Sequence, residues 1–177
     1  MIDIAEVAAQ MERVPAFRGC CFFLSNYYPV PLRFAGEDFW GVEQLWHWTK
    51  CSKDVDRARI MAADNRSLGA AAKTVCVRPD WGEKRDAYCL EMERLKFHQG
   101  GAALARMLAD TAPVPLVERN NWGCRHWGVD ENGRGENVLG RTLMQVRSEV
   151  AAELADGTWS EDYEPRMHPW DGTWRGD

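Results

Sequence analysis

Between residues 40 and 50 the chain sets a carboxylate, an imidazole and an amine among indoles: Trp40-Gly41-Val42-Glu43-Gln44-Leu45-Trp46-His47-Trp48-Thr49-Lys50. On a helix, Glu43, His47 and Lys50 fall at i, i+4 and i+7 and share one face. Trp40, Trp46 and Trp48 crowd the same turns. An indole buries a large area and prefers a hydrogen-bond partner, so this is not an ordinary solvated face. Partial desolvation raises the pKa of a carboxyl and lowers that of an amine. Those shifts make a glutamate a general acid and a lysine a nucleophile near neutral pH. The expected chemistry is to hold a flat ring and move protons.

A second segment runs Trp122-Gly123-Cys124-Arg125-His126-Trp127-Gly128 and on through Gly133-Arg134-Gly135-Glu136-Asn137-Val138-Leu139-Gly140. Glycines just before a helix start can aim backbone N–H groups at an anion. The pattern is neither a P-loop nor a G-x-G-x-x-G after a strand. Taken alone, the segment reads more simply as a flexible turn closing onto the last helix. Arg125 and Arg134 are candidates for a phosphate, although loop arginines usually face water. Cys124 is a candidate nucleophile without a demonstrable neighbouring base. Trp81, at a helix start, reads first as a core anchor, and His98 and His126 as structural histidines. Ser25 lacks the G-x-S-x-G context of a serine hydrolase.

The rest of the chain must position these groups. Its 177 residues, 45% apolar and 28% charged, suit one soluble domain with a real core. A net charge of −5 argues against broad, backbone-driven nucleic-acid binding but leaves room for a small anion in a locally basic pocket. The cysteines hold no C-x-x-C, only the adjacent Cys20-Cys21, which favours reduced thiols in a cytoplasmic protein over a disulfide framework or zinc site. No signal peptide or membrane span is read, no metal site is visible, and no cofactor is expected.

The pattern predicts a mainly α fold, α+β with minor short strands. Helices are expected over Ile2–Val14, ended by Pro15, and over 42–51, 54–63, 67–73, 81–98, 102–109 and 138–154. Gly41 serves as N-cap of the second, with Gln44 as half of a capping box, and Asp80 with Glu83 caps the long one. Strands are expected at 21–24, at 113–118 and in a hairpin pairing 32–34 with 38–40. Residues 120–137 should form a long irregular loop of the kind that tends to carry function. In the last helix Leu139, Leu143, Val146 and Val150 mark a buried stripe. The division expected is one compact domain over 1–156 and a Trp-rich extension over 157–177.

Phe23-Leu24-Ser25-Asn26-Tyr27-Tyr28-Pro29, Val42-Glu43 with Lys50, Arg78-Pro79-Asp80-Trp81, Lys96-Phe97, Trp127-Gly128 and Gly133-x-Gly135-x-Asn137-x-Leu139-Gly140-x-x-Leu143-Met144-x-x-Arg147 occur in that order. Together they resemble the YbiA-like or NADAR family over roughly residues 21 to 150. The resemblance implies a compact helical domain that hydrolyses N-glycosidic bonds of ribosylated bases, either ADP-ribose on guanine or early riboflavin-pathway intermediates. It assigns Glu43 as general acid/base. It offers Lys50 as the lysine that attacks ribose C1 or pairs with a phosphate. It matches Ser25, Asn26, Trp81, Trp127, Gly128 and Asn137 to positions around the substrate, and His47 and Cys124, at positions where the chain departs from the family, are expected to join them there. The chain departs from the family pattern at Gln44 and His47, where glutamine and histidine are exchanged, and at Cys124, where an aspartate is usual. A nucleotide-binding module that no longer cleaves is therefore the competing expectation. A more distant one is a partner-docking tail carrying Trp159, Trp170 and Trp174.

Overall fold

The computed structural model describes residues 2–13 and 17–171. Helix α1 spans Ile4–Arg13 and is followed by a 3-10 segment, Gly19–Leu24. Strands β1 (Leu32–Phe34) and β2 (Glu37–Phe39) come next, then α2 (Val42–Thr49), α3 (Asp54–Met61) and α4 (Leu68–Ala72). Three longer helices complete the body: α5 (Trp81–Gln99), α6 (Gly101–Ala109) and α7 (Val138–Asp156). The fold is mainly α with one short antiparallel hairpin, as the sequence predicted. Among the described residues no helix is long and apolar enough to cross a membrane.

Helix α5 is the centre of the body and packs against α7, α6 and α2. Its Tyr88, Met92 and Leu95 are buried, as are Leu139, Leu143, Val146 and Val150 of α7. Arg94 of α5 grips Glu149 of α7 through two bonds of 2.8 and 2.7 Å, and also takes Glu91 at 2.6 Å. Gly101, at φ +87, lets the chain leave α5 and start α6 at once. The β-hairpin closes through Ala35 and Gly36, both at positive φ (51 and 85), a two-residue turn whose twist suits the strands. Its second strand therefore starts at Glu37, one residue earlier than predicted, in register Phe34↔Glu37. Trp48 seats edge-on against Phe34 and Phe39 of this hairpin.

Several local expectations are corrected. Residues 21–24 are not a strand: Cys21 N–H donates to the Arg18 carbonyl and Ser25 N–H to Phe22, both at i−3 spacing. The apolar run buries Cys21, Phe23 and Leu24 through this tight turn without needing a strand partner. Residues 113–118 form no strand either. Val114 and Leu116 are buried, but Arg147 secures the segment by donating to the Val114 carbonyl at 2.7 Å. Asp80 makes no capping bond, because Arg78 takes both its oxygens at 2.6 and 2.8 Å. Asp3, not a predicted cap, accepts from Ala5 and Glu6 and starts α1. The expected end of that helix at Val14 and Pro15 lies outside the described residues.

The segment after α7 runs back along α5. Tyr163 and the Arg166 N–H both donate to Glu91, His98 meets the Ser160 carbonyl at 2.6 Å, and Arg78 donates to the His168 carbonyl. Trp159 stacks on His98, Trp170 lies under the Arg78 guanidinium, and Met167 is buried. Trp174 lies outside the described residues.

Candidate active site

A cavity of about 490 Å³ opens between the 3-10 segment, α2, the start of α7 and the loop that precedes α7. Its wall includes Ser25, Asn26, Glu43, Cys124 and Trp127, five of the residues anticipated from sequence. Helix α2 supplies Glu43 because Gly41 starts it where the 25–28 turn comes close: the Glu43 N–H donates to the Asn26 carbonyl at 2.9 Å. Gln44 steadies that start. Its Oε1 accepts from the Trp40 N–H at 3.0 Å, and its Nε2 reaches the Ile60 carbonyl at the end of α3.

Glu43 Oε1 lies 3.1 Å from His47 Nε2 one turn on, so that half of the predicted stripe is real. Lys50 caps α2 in helical conformation, its N–H donating to the Trp46 carbonyl, while its amine donates to the Ala72 carbonyl at 3.3 Å and Lys50 is not among the residues that line the cavity. Burial lowers its pKa, while Cys51 and Glu43 pull the other way. Of the three indoles beside Glu43, only Trp46 reaches the cavity. Trp48 goes to the core and Trp40 donates to the Ala63 carbonyl. Trp46 is flanked edge-on by Trp81 at 4.7 Å and Trp127 at 4.8 Å. Trp81 thus buttresses Trp46 from behind, and Trp127 shares the wall.

Two members of the glycine-rich loop do not face the cavity. Asn137 sits at φ +50 ahead of α7, where its Oδ1 accepts from the Glu118 N–H and its Nδ2 donates to the Leu116 carbonyl, both at 2.9 Å. Gly128 lies so close to the Glu118 carbonyl that a Cβ would collide with it. Arg125 and Arg134, the candidates for a phosphate, both pair with Asp130, at 2.9 and 3.0 Å, and neither lines the cavity. His126 bridges Asp86 and Glu136 at 2.7 and 2.9 Å. Cys124 is fixed by Asn120, whose side chain takes both its N–H and its carbonyl.

The sequence missed several wall residues. Tyr27 faces Glu43; burial and that carboxylate push its phenol up to about 12. Glu118 has one oxygen, Oε2, buried without a partner, and burial first, then the charge of Glu43, push its pKa up to about 7. Buried Phe17 and the exposed Phe22 and Trp122 add aromatic rings to the wall, with Trp122 61% exposed. Beneath Ser25 lies a sealed pair, Glu93 and Lys96, 3.6 Å apart and both fully buried, whose amine donates to the Ser25 carbonyl at 3.0 Å. A glutamate in the irregular stretch before a long loop gave no periodic signal, and Lys96 was visible only as part of a motif.

The fold is that of a solved relative. The NMR structure of the E. coli protein YbiA superposes with a TM-score of 0.70 at 23% identity, covering 88% of this chain and 89% of that one. In sequence, N-glycosidase YbiA of Shigella boydii is 28% identical over 132 residues, 73% of this chain and 81% of that protein. A riboflavin biosynthesis protein of Vibrio vulnificus is 28% identical over 131 residues, 72% of this chain but 35% of that longer protein. The NADAR domain profile matches residues 18–151, and with three quarters of its length inside that match the chain belongs to the NADAR family.

Proposed function

We propose that the protein is an N-glycosidase that hydrolyses the bond between ribose C1 and a nitrogen of a base. The observation that carries this reading is the meeting of the Glu43 carboxylate with the Trp46 and Trp127 rings on one cavity wall. Cleavage at C1 passes through a cation-like centre. A fixed carboxylate stabilises that centre, and indole faces hold a planar leaving base. His47, hydrogen-bonded to Glu43, fixes the orientation of the carboxylate. Asn26, whose Oδ1 is buried without a partner, and Ser25 supply polar contacts to the sugar. Lys50 acts through Glu43, since its amine is held on Ala72.

The substrates this reading favours are ADP-ribose on a guanine base and a ribosylamino-pyrimidine phosphate. The relatives named N-glycosidase and riboflavin biosynthesis protein support both classes. Arg18 on the wall offers a cation to a phosphate of either. The test is release of free base from each compound by the wild type, Glu43→Gln and Lys50→Ala. Glu43→Gln should lose about 10²–10⁴-fold in rate; full activity in both variants sinks the assignment. The second reading, a binding module, is favoured by Cys124, a thiol on the cavity wall where the resemblance expects a carboxylate. It predicts tight binding without turnover, and turnover gained in Cys124→Asp.

A further inference from the structure

Three features of the glycine-rich loop converge on one backbone unit. Asn137 accepts from the Glu118 N–H, the Val129 N–H donates to the Glu118 carbonyl at 2.8 Å, and Gly128 leaves that carbonyl the space a side chain would fill. The loop is therefore a seat for Glu118, and Glu118 lines the same cavity as Glu43 and feels its charge. Its Oε2 is buried without a hydrogen-bond partner, and the Phe17 N–H serves the carboxyl group. A buried carboxyl oxygen with nothing to bond is costly unless it carries a proton, and the residue that bears it lines the cavity. The other titratable groups on this wall are Arg18, Tyr27, Glu43, Cys89 and Cys124.

We propose that Glu118 is a second catalytic residue, the general acid that protonates the leaving base, while Glu43 remains the carboxylate that stabilises C1 and activates water. The proposal deepens the N-glycosidase reading and rests on it. In the step, the C1–N bond breaks and its electron pair stays on the base nitrogen. That nitrogen takes the proton of Glu118. Water adds its oxygen to C1 and gives a proton to Glu43. The products are free base and a ribose hydroxyl, and exchange with solvent returns the proton from Glu43 to Glu118. Two carboxyl groups held in different environments divide acid and base roles in this way. The raised pKa of about 7 agrees: a substantial share of Glu118 still carries its proton near neutrality, and the acid form is lost as pH rises through that value.

The experiment has two arms. In the first, kcat/KM for base release is measured against pH for the wild type, Glu118→Gln and Glu118→Asp, with folding checked by thermal melts. The wild type should fall off above about pH 7, Glu118→Gln should lose about 10²–10⁴-fold and that alkaline limb, and Glu118→Asp should recover part of the rate. A Glu118→Gln variant with wild-type rate, or one retaining the limb, overturns the proposal. In the second arm, carboxyl carbon NMR follows Glu118 in the free protein. It should titrate near 7 and move down in Glu43→Gln. Titration at the ordinary glutamate value overturns the proposal whatever the activity. If the wild type releases no base from any ribosylated compound, the N-glycosidase reading itself fails.

Discussion

Two glutamate–lysine pairs of this protein use the same residue types on the packed helices α2 and α5, and their surroundings differ. Glu43 and Lys50 come from α2 and its end; Glu93 and Lys96 come from one turn of α5. Glu43 opens onto a cavity, 17% exposed, with a histidine beside it. Glu93 and Lys96 are sealed at 0%, and neither Glu93 oxygen has a hydrogen-bond partner. Burial pushes the Glu93 pKa up and the Lys96 pKa down, each toward its own neutral form, while the partner's charge pulls each back. The difference teaches that helix spacing selects a pair but the surrounding packing decides its use. The accessible carboxylate is available to a ligand, while the sealed pair holds up the Ser25 turn from beneath.

The largest effect should come from breaking the sealed pair. Lys96→Met alone leaves Glu93 buried with no partner and should cost about 3–5 kcal/mol in chemical denaturation. The double variant Glu93→Leu with Lys96→Met should recover most of that loss; equal losses in single and double variants would erase the contrast between the pairs. Glu43→Gln should do the reverse, losing about 10²–10⁴-fold in activity while stability moves by under about 1 kcal/mol. A comparable fall in stability would place Glu43 with the structural pair.

Glu118 sharpens the comparison, being half open and half sealed. Its folded pKa of about 7 lies above the unfolded 4.5. The folded state thus holds a proton that the unfolded state has lost between those values, and stability falls as pH rises through that window. Glu118→Gln removes the penalty. It should be more stable than the wild type at pH 8, by up to about 3 kcal/mol, and no more stable at pH 4. Unfolding curves at the two pH values check the sign. The smallest effect belongs to Lys50. Lys50→Met should lower kcat about tenfold with KM unchanged, because the role proposed for the amine runs through Glu43 and not through contact with substrate. A ribose adduct trapped on Lys50 by borohydride would instead put that amine at C1.

The helices were legible because their apolar spacing is set by the helix itself, as with Leu139, Leu143, Val146 and Val150. Irregular segments were not. The run 21–24 became a 3-10 turn and 113–118 a loop, since a short apolar run carries no period to choose among backbone states. Of the site, the resemblance and the stripe found Glu43, Ser25, Asn26, Cys124 and Trp127 on the wall. They did not separate those from Trp81, Gly128 and Asn137, which build the wall without lining it.

By itself the sequence determined the helical body, the Glu43–His47 contact one turn apart and the motifs that carry the NADAR likeness. These follow from local geometry or from residue order. Only the tertiary structure decided that the Lys50 amine meets the Ala72 carbonyl, that Asn137 and Gly128 serve Glu118, and that Glu118 and Glu43 line one cavity. Those relations join residues tens of positions apart, and proximity across such spans is fixed by packing, which no local pattern of residues encodes.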